Sequence, residues 1–443
     1  MSTMAVFAAV LLLATVTVSA QNVTYEFTKL AALGDQVPGG YLINDFEPGG
    51  INNRGDVIFG ADIGHTPDPA TVYGEAVYVL SAGKLTQLAR PGLAAPGGGT
   101  FSFGFLARVA INDEGDGAFV FVLDPSIPCC INAGLYRYSR DKGNKVLSAV
   151  VVPGQTPYPL PLVGTFPGVG FGASLTNRGD LAFTGVVNNS GDIFVADKQD
   201  RITAVLEPSD RPPGGGEFDA AGGPWVTQGG DVVFGAHLTG EAVCLSSIYV
   251  KKAGTGTIAS IAHAGDPAPR GGTLISAVSP IMNDSGDVVF EGLLAGDPCG
   301  NFETMGIYLH SKNNTIAIAR PGDPMPGGGK FVTASFDLAG NLNMNNPGEV
   351  VFNAKLDTDE NNDNIPDTGL YLWSHGSLRL IARTGTVIPG LGTITELKGF
   401  VTTVPPEPFY VPDSGALNND RGQVVFSARF ADKSLVLLLA TPR

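Results

Sequence analysis

The chain has 443 residues, with 27 Lys and Arg against 42 Asp and Glu, and its formal net charge of −15 argues against nucleic acid or an anionic lipid surface as partner. Gly 60 and Pro 32 are high counts, but these residues recur at fixed places and a hydrophobic content of 43% supplies a core, so a low-complexity or disordered chain is not indicated.

At the amino end, residues 5–18 form an apolar run that leads into Val18-Ser19-Ala20, small residues of the kind a signal peptidase requires before its cut. The run is shorter than the ~20 residues needed to cross a bilayer. We expect a signal peptide over residues 1–20, with an uncleaved anchor as the alternative, and an exported mature chain with no membrane span.

Beyond it, Asn52-Asn53-Arg54-Gly55-Asp56-Val57-Ile58-Phe59 opens a series of seven related stretches. Their last residues are Phe59, Phe119, Phe183, Phe234, Phe290, Phe352 and Phe426, at intervals of 60, 64, 51, 56, 62 and 74. Repetition at such a period is the mark of a repeat architecture. Asn or Asp followed by Gly between apolar runs is hairpin chemistry, because the Asx side chain caps its own backbone and Gly takes positive φ. The following run, such as Val288-Val289-Phe290, is apolar without alternation and suits a strand covered on both faces. Two more strands follow in each unit, for example Gly306-Ile307-Tyr308-Leu309 and Ile318-Ala319-Arg320. A Gly/Pro loop such as Pro321-Gly322-Asp323-Pro324 then leads into a last strand and the next Asn turn.

Four antiparallel strands repeated seven times predict an all-β, seven-bladed β-propeller. The mature start, Leu30 to Gly40, carries the outer-strand-and-loop portion of a unit, and the carboxyl end stops short of that portion. An N-terminal strand should therefore complete the last blade and close the ring, leaving residues 21–443 as a single domain without an open edge. The full pattern, N-[ND]-x-G-D-V-V-F, then G-[IL]-Y-L, then [IL]-A-R-x-G-D-x-x-P-G-G-G, resembles tandem-repeat β-propeller proteins of secreted bacterial type. The resemblance covers residues 23–442 and implies the architecture; it carries no activity with it.

The four cysteines, Cys129, Cys130, Cys244 and Cys299, are an even number in a chain expected to be exported, which favours disulfides. Cys244–Cys299 is the expected cross-blade bond, with Cys129–Cys130 a vicinal disulfide or two free thiols, and zinc the competing reading. Glycosylation acceptors at Asn22, Asn188, Asn283 and Asn313 matter only in a eukaryotic host.

In four-stranded blades the Asn turns share one end of the disc with the hairpins between third and fourth strands. The other end takes the Gly/Pro loops and the long loops between second and third strands, and function is expected there. One such loop places oxygen side chains at alternate positions: Asp357, Asp359, Asn361, Asp363, the Ile365 carbonyl and Asp367. It resembles the calcium loops of thrombospondin type 3 and dockerin repeats, which implies a structural calcium ion. An ordinary acidic loop is the equal alternative, because Tyr371 stands where a bidentate Glu is usual.

Asp35, Asp210, Asp266 and Asp323 recur in the Gly/Pro loops, with Gln155 and Thr386 elsewhere, and read as turn caps. Arg90, Arg320 and Arg383, with His263 at the same position, read as outer-strand residues paired with acids. The five His lack metal-ligand spacing, and neither a G-x-S-x-G elbow nor a P-loop is present. Asn44, Asp45, Arg108, Asp219, Asp337 and Lys398 are candidates to line the channel. The reading is a secreted, monomeric binding module for an extracellular glycan or protein. Tyr73, Tyr158, Trp225 and Tyr410 are candidates for sugar stacking. A polysaccharide lyase or hydrolase, with Arg108 or Lys398 beside His65, is the alternative; a structural surface component is the third.

Overall fold

The computed structural model describes residues 13–20, 23–66, 72–102, 109–124, 132–140, 146–188, 190–207, 209–241, 245–294, 305–334, 342–397 and 416–443. Each repeat begins at its Asn turn. Asn283 Oδ1 accepts the backbone N–H groups of Ser285 (3.1 Å) and Asp287 (2.9 Å), and Gly286 closes the turn at φ +85°. Asn52 and Asn419 do the same in the first and last repeats.

The turn joins the first and second strands of a blade. Blade 5 shows the plan: Ser276–Met282, Val288–Leu293, Met305–Ser311 and Asn314–Ala319 pair in sequence order, all antiparallel. Blades 2, 3 and 4 are likewise four-stranded sheets. In blades 1, 6 and 7 the first strand is broken in two; Tyr41–Ile43 and Glu47–Ile51, for example, both pair with Val57–Gly64.

Blade 7 takes only three strands' worth of chain from the carboxyl end: Gly392–Leu397 with Leu417–Asn418, then Val424–Phe430, then Leu435–Pro442. Its fourth strand is Val23–Ala32, paired from Tyr25 opposite Pro442 to Ala32 opposite Val436. The predicted closure is present, and Arg443 adds to it by an ion pair with Glu26 at 2.5 Å. Leu13–Ala20 pairs with the outer side of Val23–Ala32.

Burial explains why the second strands do not alternate. Val288 and Phe290 pack into the cluster shared with blade 4, whereas Val289 packs into the cluster shared with blade 6. Both faces of the sheet are thus core. The recurring pairing of Phe and Tyr within a blade comes from stacking across strands, with ring centroids 5.6 Å apart for Phe119 and Tyr136, 5.6 Å for Phe290 and Tyr308, and 5.8 Å for Phe352 and Tyr371. The glycine two residues before Tyr makes room for that ring: a Cβ on Gly369 would lie 2.5 Å from the Tyr371 ring. In blade 7 Leu438 stands opposite Phe426, and Phe27 from the N-terminal strand packs edge-on against Phe426 at 6.1 Å.

Candidate functional site

At the turn end, the seven repeat turns surround the channel, and the five with Asn at the capping position bond to their neighbours. Asn52 Nδ2 donates to the carbonyl of Asn112, Asn112 to Thr176, Asn345 to Asn419, and Asn419 to Asn52, each at 2.9 Å; Asn283 reaches the Asn346 carbonyl at 3.4 Å. Thr176 and Thr227 carry no amide, so this inner ring is interrupted on both sides of blade 4. One residue further on, amide and carboxylate side chains alternate in a second ring. Asp113 Oδ1 accepts Asn53 N–H (2.7 Å), Asn177 Oδ1 accepts Asp113 N–H (2.8 Å), Asp420 Oδ1 accepts Asn346 N–H (2.8 Å), and Asn53 Oδ1 accepts Asp420 N–H (2.8 Å). On the other side of blade 4, Asp284 accepts from Gln228 at 2.7 Å and Asn346 from Asp284 at 3.1 Å.

These rings rim a channel cavity of ≈ 190 Å³ whose lining mixes their polar side chains with apolar ones, Ile51, Ile111, Leu175, Trp225, Met282 and Met344 among them. Trp225 therefore belongs to the channel wall, not to the loop face where the sequence placed it. It packs against the clusters on both sides of blade 5.

The loop end is built differently. Asp35, Asp210, Asp266 and Asp323 each accept the backbone N–H three residues earlier, all at 2.8 Å, which is the capping role expected of them. Thr386 Oγ1 does the same for Arg383, and in the third such loop Thr156 acts where Gln155 was expected. His263 is held by the Tyr249 hydroxyl at 2.7 Å, within a packed aromatic pair. The arginines divide. Arg383 pairs with Glu360 (2.9 Å) and Asp367 (3.3 Å), as expected, while Arg320 donates to the Pro269 carbonyl of the preceding loop (2.6 Å) and Arg90 to the Pro91 carbonyl (2.8 Å).

In the 357–367 loop, Asp359 accepts the N–H groups of Asp363 (3.1 Å) and Asn364 (3.0 Å), and Asp363 accepts Ile365 N–H (2.8 Å) and Asn361 Nδ2 (2.8 Å). Asp357 accepts Lys330 N–H at 2.6 Å. Asp367 lies fully buried at the base of the loop against Arg383. Asn362 and Asn364 take the left-handed φ values of +56° and +66° that the acidic loop requires. No group of three or more His, Cys, Asp or Glu side chains suited to a metal ion occurs among the described residues.

Asn44 is buried, and Asp45 caps the adjacent Phe46 N–H at 2.7 Å. Asp219 lies in a groove between blades 3 and 4, where His237 Nδ1 meets its carboxylate at 3.2 Å and His237 Nε2 meets the Glu241 carbonyl at 3.2 Å. Asp192 lines the same groove, and burial pushes its carboxyl above the usual range. Tyr158 packs on Phe166 and donates to the Val186 carbonyl at 2.9 Å, so it supports its own loop. Cys129, Cys130, Cys244 and Cys299 lie outside the described residues, as do Arg108, Asp337, Lys398 and Tyr410.

Tyr73 and His65 are brought together, with two residues that the sequence reading did not single out for this role. Tyr41 stacks on His65 and on Tyr73, both at 4.9 Å between centroids, and the Arg90 guanidinium lies 5.3 Å from the Tyr41 ring centre. The available signal was positional: Tyr41 follows its Gly/Pro loop where the other units have Thr100, Thr165, Glu217, Thr273, Lys330 and Thr393.

Fold and site together define a seven-bladed β-propeller, closed by its N-terminal strand and locked at one end by an Asx ring. The chain belongs to DUF7453, a family of unknown function, whose model matches residues 6–436. No curated protein matches it in sequence. Among solved structures, an oligogalacturonate lyase from Vibrio parahaemolyticus is similar at TM-score 0.51 and 12% identity, over 97% of this chain and 97% of that one. An oligogalacturonate lyase in complex with manganese has TM-score 0.49 and 14% identity, over 98% of this chain and 96% of that one. PorZ, a surface component of the type-IX secretion system of Porphyromonas gingivalis, has TM-score 0.48 and 14% identity, over 94% of this chain and 51% of that one. At these identities the likeness is one of fold.

Proposed function

We propose that the protein is an exported propeller that acts as a binding module and presents its loop end to an extracellular glycan or protein. The observation that carries this reading is the fate of the repeated polar side chains. The loop acids cap turns, His263 is held by Tyr249, Arg320 and Arg383 tie loops to strands, and the Asn turns lock the blades. What varies between units is the loops, held on a rigid ring, and that division of labour suits recognition. Loss of residues 1–20 on export would leave the ring closed, because Val23–Ala32 supplies the closing strand.

The test is to incubate the chain from residue 21 with neutral and acidic polysaccharides, and to measure both the protein retained and the chain ends released. Retention without new ends supports the module. Polysaccharide cleavage is the second reading, favoured by Asp192 and Asp219, two carboxyl groups that line one groove, with His237 against Asp219. Release of new ends that Asp219→Asn abolishes would establish that reading in place of the first.

A further inference from the structure

We infer that Tyr41, His65, Tyr73 and Arg90 form a stacking subsite for a neutral glycan at the loop end of blade 1. This inference rests on the binding-module reading above and names its ligand class.

Three separate segments build the cluster. Tyr41 opens the first strand after the Gly/Pro loop, His65 and Tyr73 flank the loop between second and third strands, and Arg90 ends the fourth strand. The three ring centroids lie 4.9, 4.9 and 5.9 Å apart, so the rings form one contiguous platform. Tyr41 is half-buried and forms the base, whereas His65 is exposed and Tyr73 is 39% exposed, the highest value of any aromatic among the exposed large hydrophobic residues described. Gly39 allows the base to assemble, since a Cβ there would lie 3.1 Å from the Tyr41 ring and 3.3 Å from Arg90 Nε.

A flat ring face with a hydroxyl at its edge matches a pyranose, whose C–H face is apolar and whose rim is polar. Rigid aromatic side chains hold such a ligand at small entropic loss. The neutral class follows from charge. Arg90 lies against the Tyr41 ring and donates to the Pro91 carbonyl, where it braces the base of the platform, and the net charge of −15 repels acidic chains.

The experiment is affinity electrophoresis of the chain from residue 21 in gels containing starch, xylan, mixed-linkage β-glucan or polygalacturonate. We expect retardation by at least one neutral polysaccharide and none by polygalacturonate. Tyr73→Ala and His65→Ala should each weaken the apparent affinity at least about tenfold, as loss of an aromatic anchor does. Tyr73→Trp should preserve it. Both alanine positions are exposed, and an unchanged melting temperature verifies that the variants fold. If the wild type is retarded by a neutral polysaccharide but the alanine variants are retarded equally, the subsite is wrong while the module reading stands. Retardation by polygalacturonate alone overturns the neutral assignment, and no retardation by any of the four overturns the glycan reading itself.

Discussion

The two ends of the ring are made from the same seven repeats, yet they have opposite properties. At the turn end each unit contributes the same short turn, capped by Asn in five units and by Thr176 and Thr227 in blades 3 and 4, and neighbouring turns bond across blades through Asn52, Asn112, Asn283, Asn345 and Asn419. At the loop end the capped Gly/Pro turns are alike, but the loops beside them differ in length and chemistry from blade to blade. A repeat can therefore confine its identity to one end and its variation to the other, so that changes in the variable loops leave the turn-end bonds between blades untouched.

The comparison is broken most severely where the ring closes. Phe27→Ala removes a fully buried ring from blade 7 and should destabilise the protein by about 3–5 kcal/mol, read from the shift in a urea unfolding curve at constant slope. At the loop end, Asp367→Ala leaves the buried Arg383 guanidinium with the exposed Glu360 as its remaining acidic partner, and should lose about 3 kcal/mol. An equal loss from Glu360→Ala would show that the buried carboxylate is not the partner that matters.

The inner Asx ring is tested from both directions. Asn419→Ala removes a turn cap and a cross-blade bond, and should cost about 1–3 kcal/mol. Thr227→Asn should add a donor where blade 4 has none and gain about 0.5–1.5 kcal/mol; an unchanged or lowered unfolding midpoint would show that the interruption is not a missing bond. The smallest effect is expected from chelation. Asp367 and Glu360 are held by Arg383, Asp357 accepts Lys330 N–H, and Asp359 and Asp363 cap the loop's own backbone, so EDTA should leave the melting temperature unchanged, and a fall restored by calcium would reassign the loop as an ion site.

The tyrosines of the blade cores give a pH dependence shared by the whole ring. Burial pushes the Tyr25, Tyr78 and Tyr249 hydroxyls up to about 12 from 10.0. The folded state keeps these protons where the unfolded state has lost them, so their contribution is complete below pH 10 and is lost as the pH rises toward 12. The part of the phenolate absorbance that belongs to these buried hydroxyls should therefore rise together with unfolding, and not before it.

The parts that were legible in the sequence share a physical cause: each depends on contacts a few residues apart. Asn283 caps the groups two and four residues on, Asp323 caps the group three residues back, and Val288, Val289 and Phe290 declare a doubly covered strand, so turn, loop, blade and blade count could all be read in order. The closing strand was legible as well, because one unit's portion is missing at one terminus and present at the other. Tertiary structure alone decided what the units do to one another. Asn419 meets Asn52 across 367 positions, Trp225 turns into the channel, and Tyr41, His65, Tyr73 and Arg90 converge from three segments. The local pattern states which residues a turn needs, but the direction of a loop side chain depends on the backbone of a neighbouring segment, and that position exists only once the ring has closed.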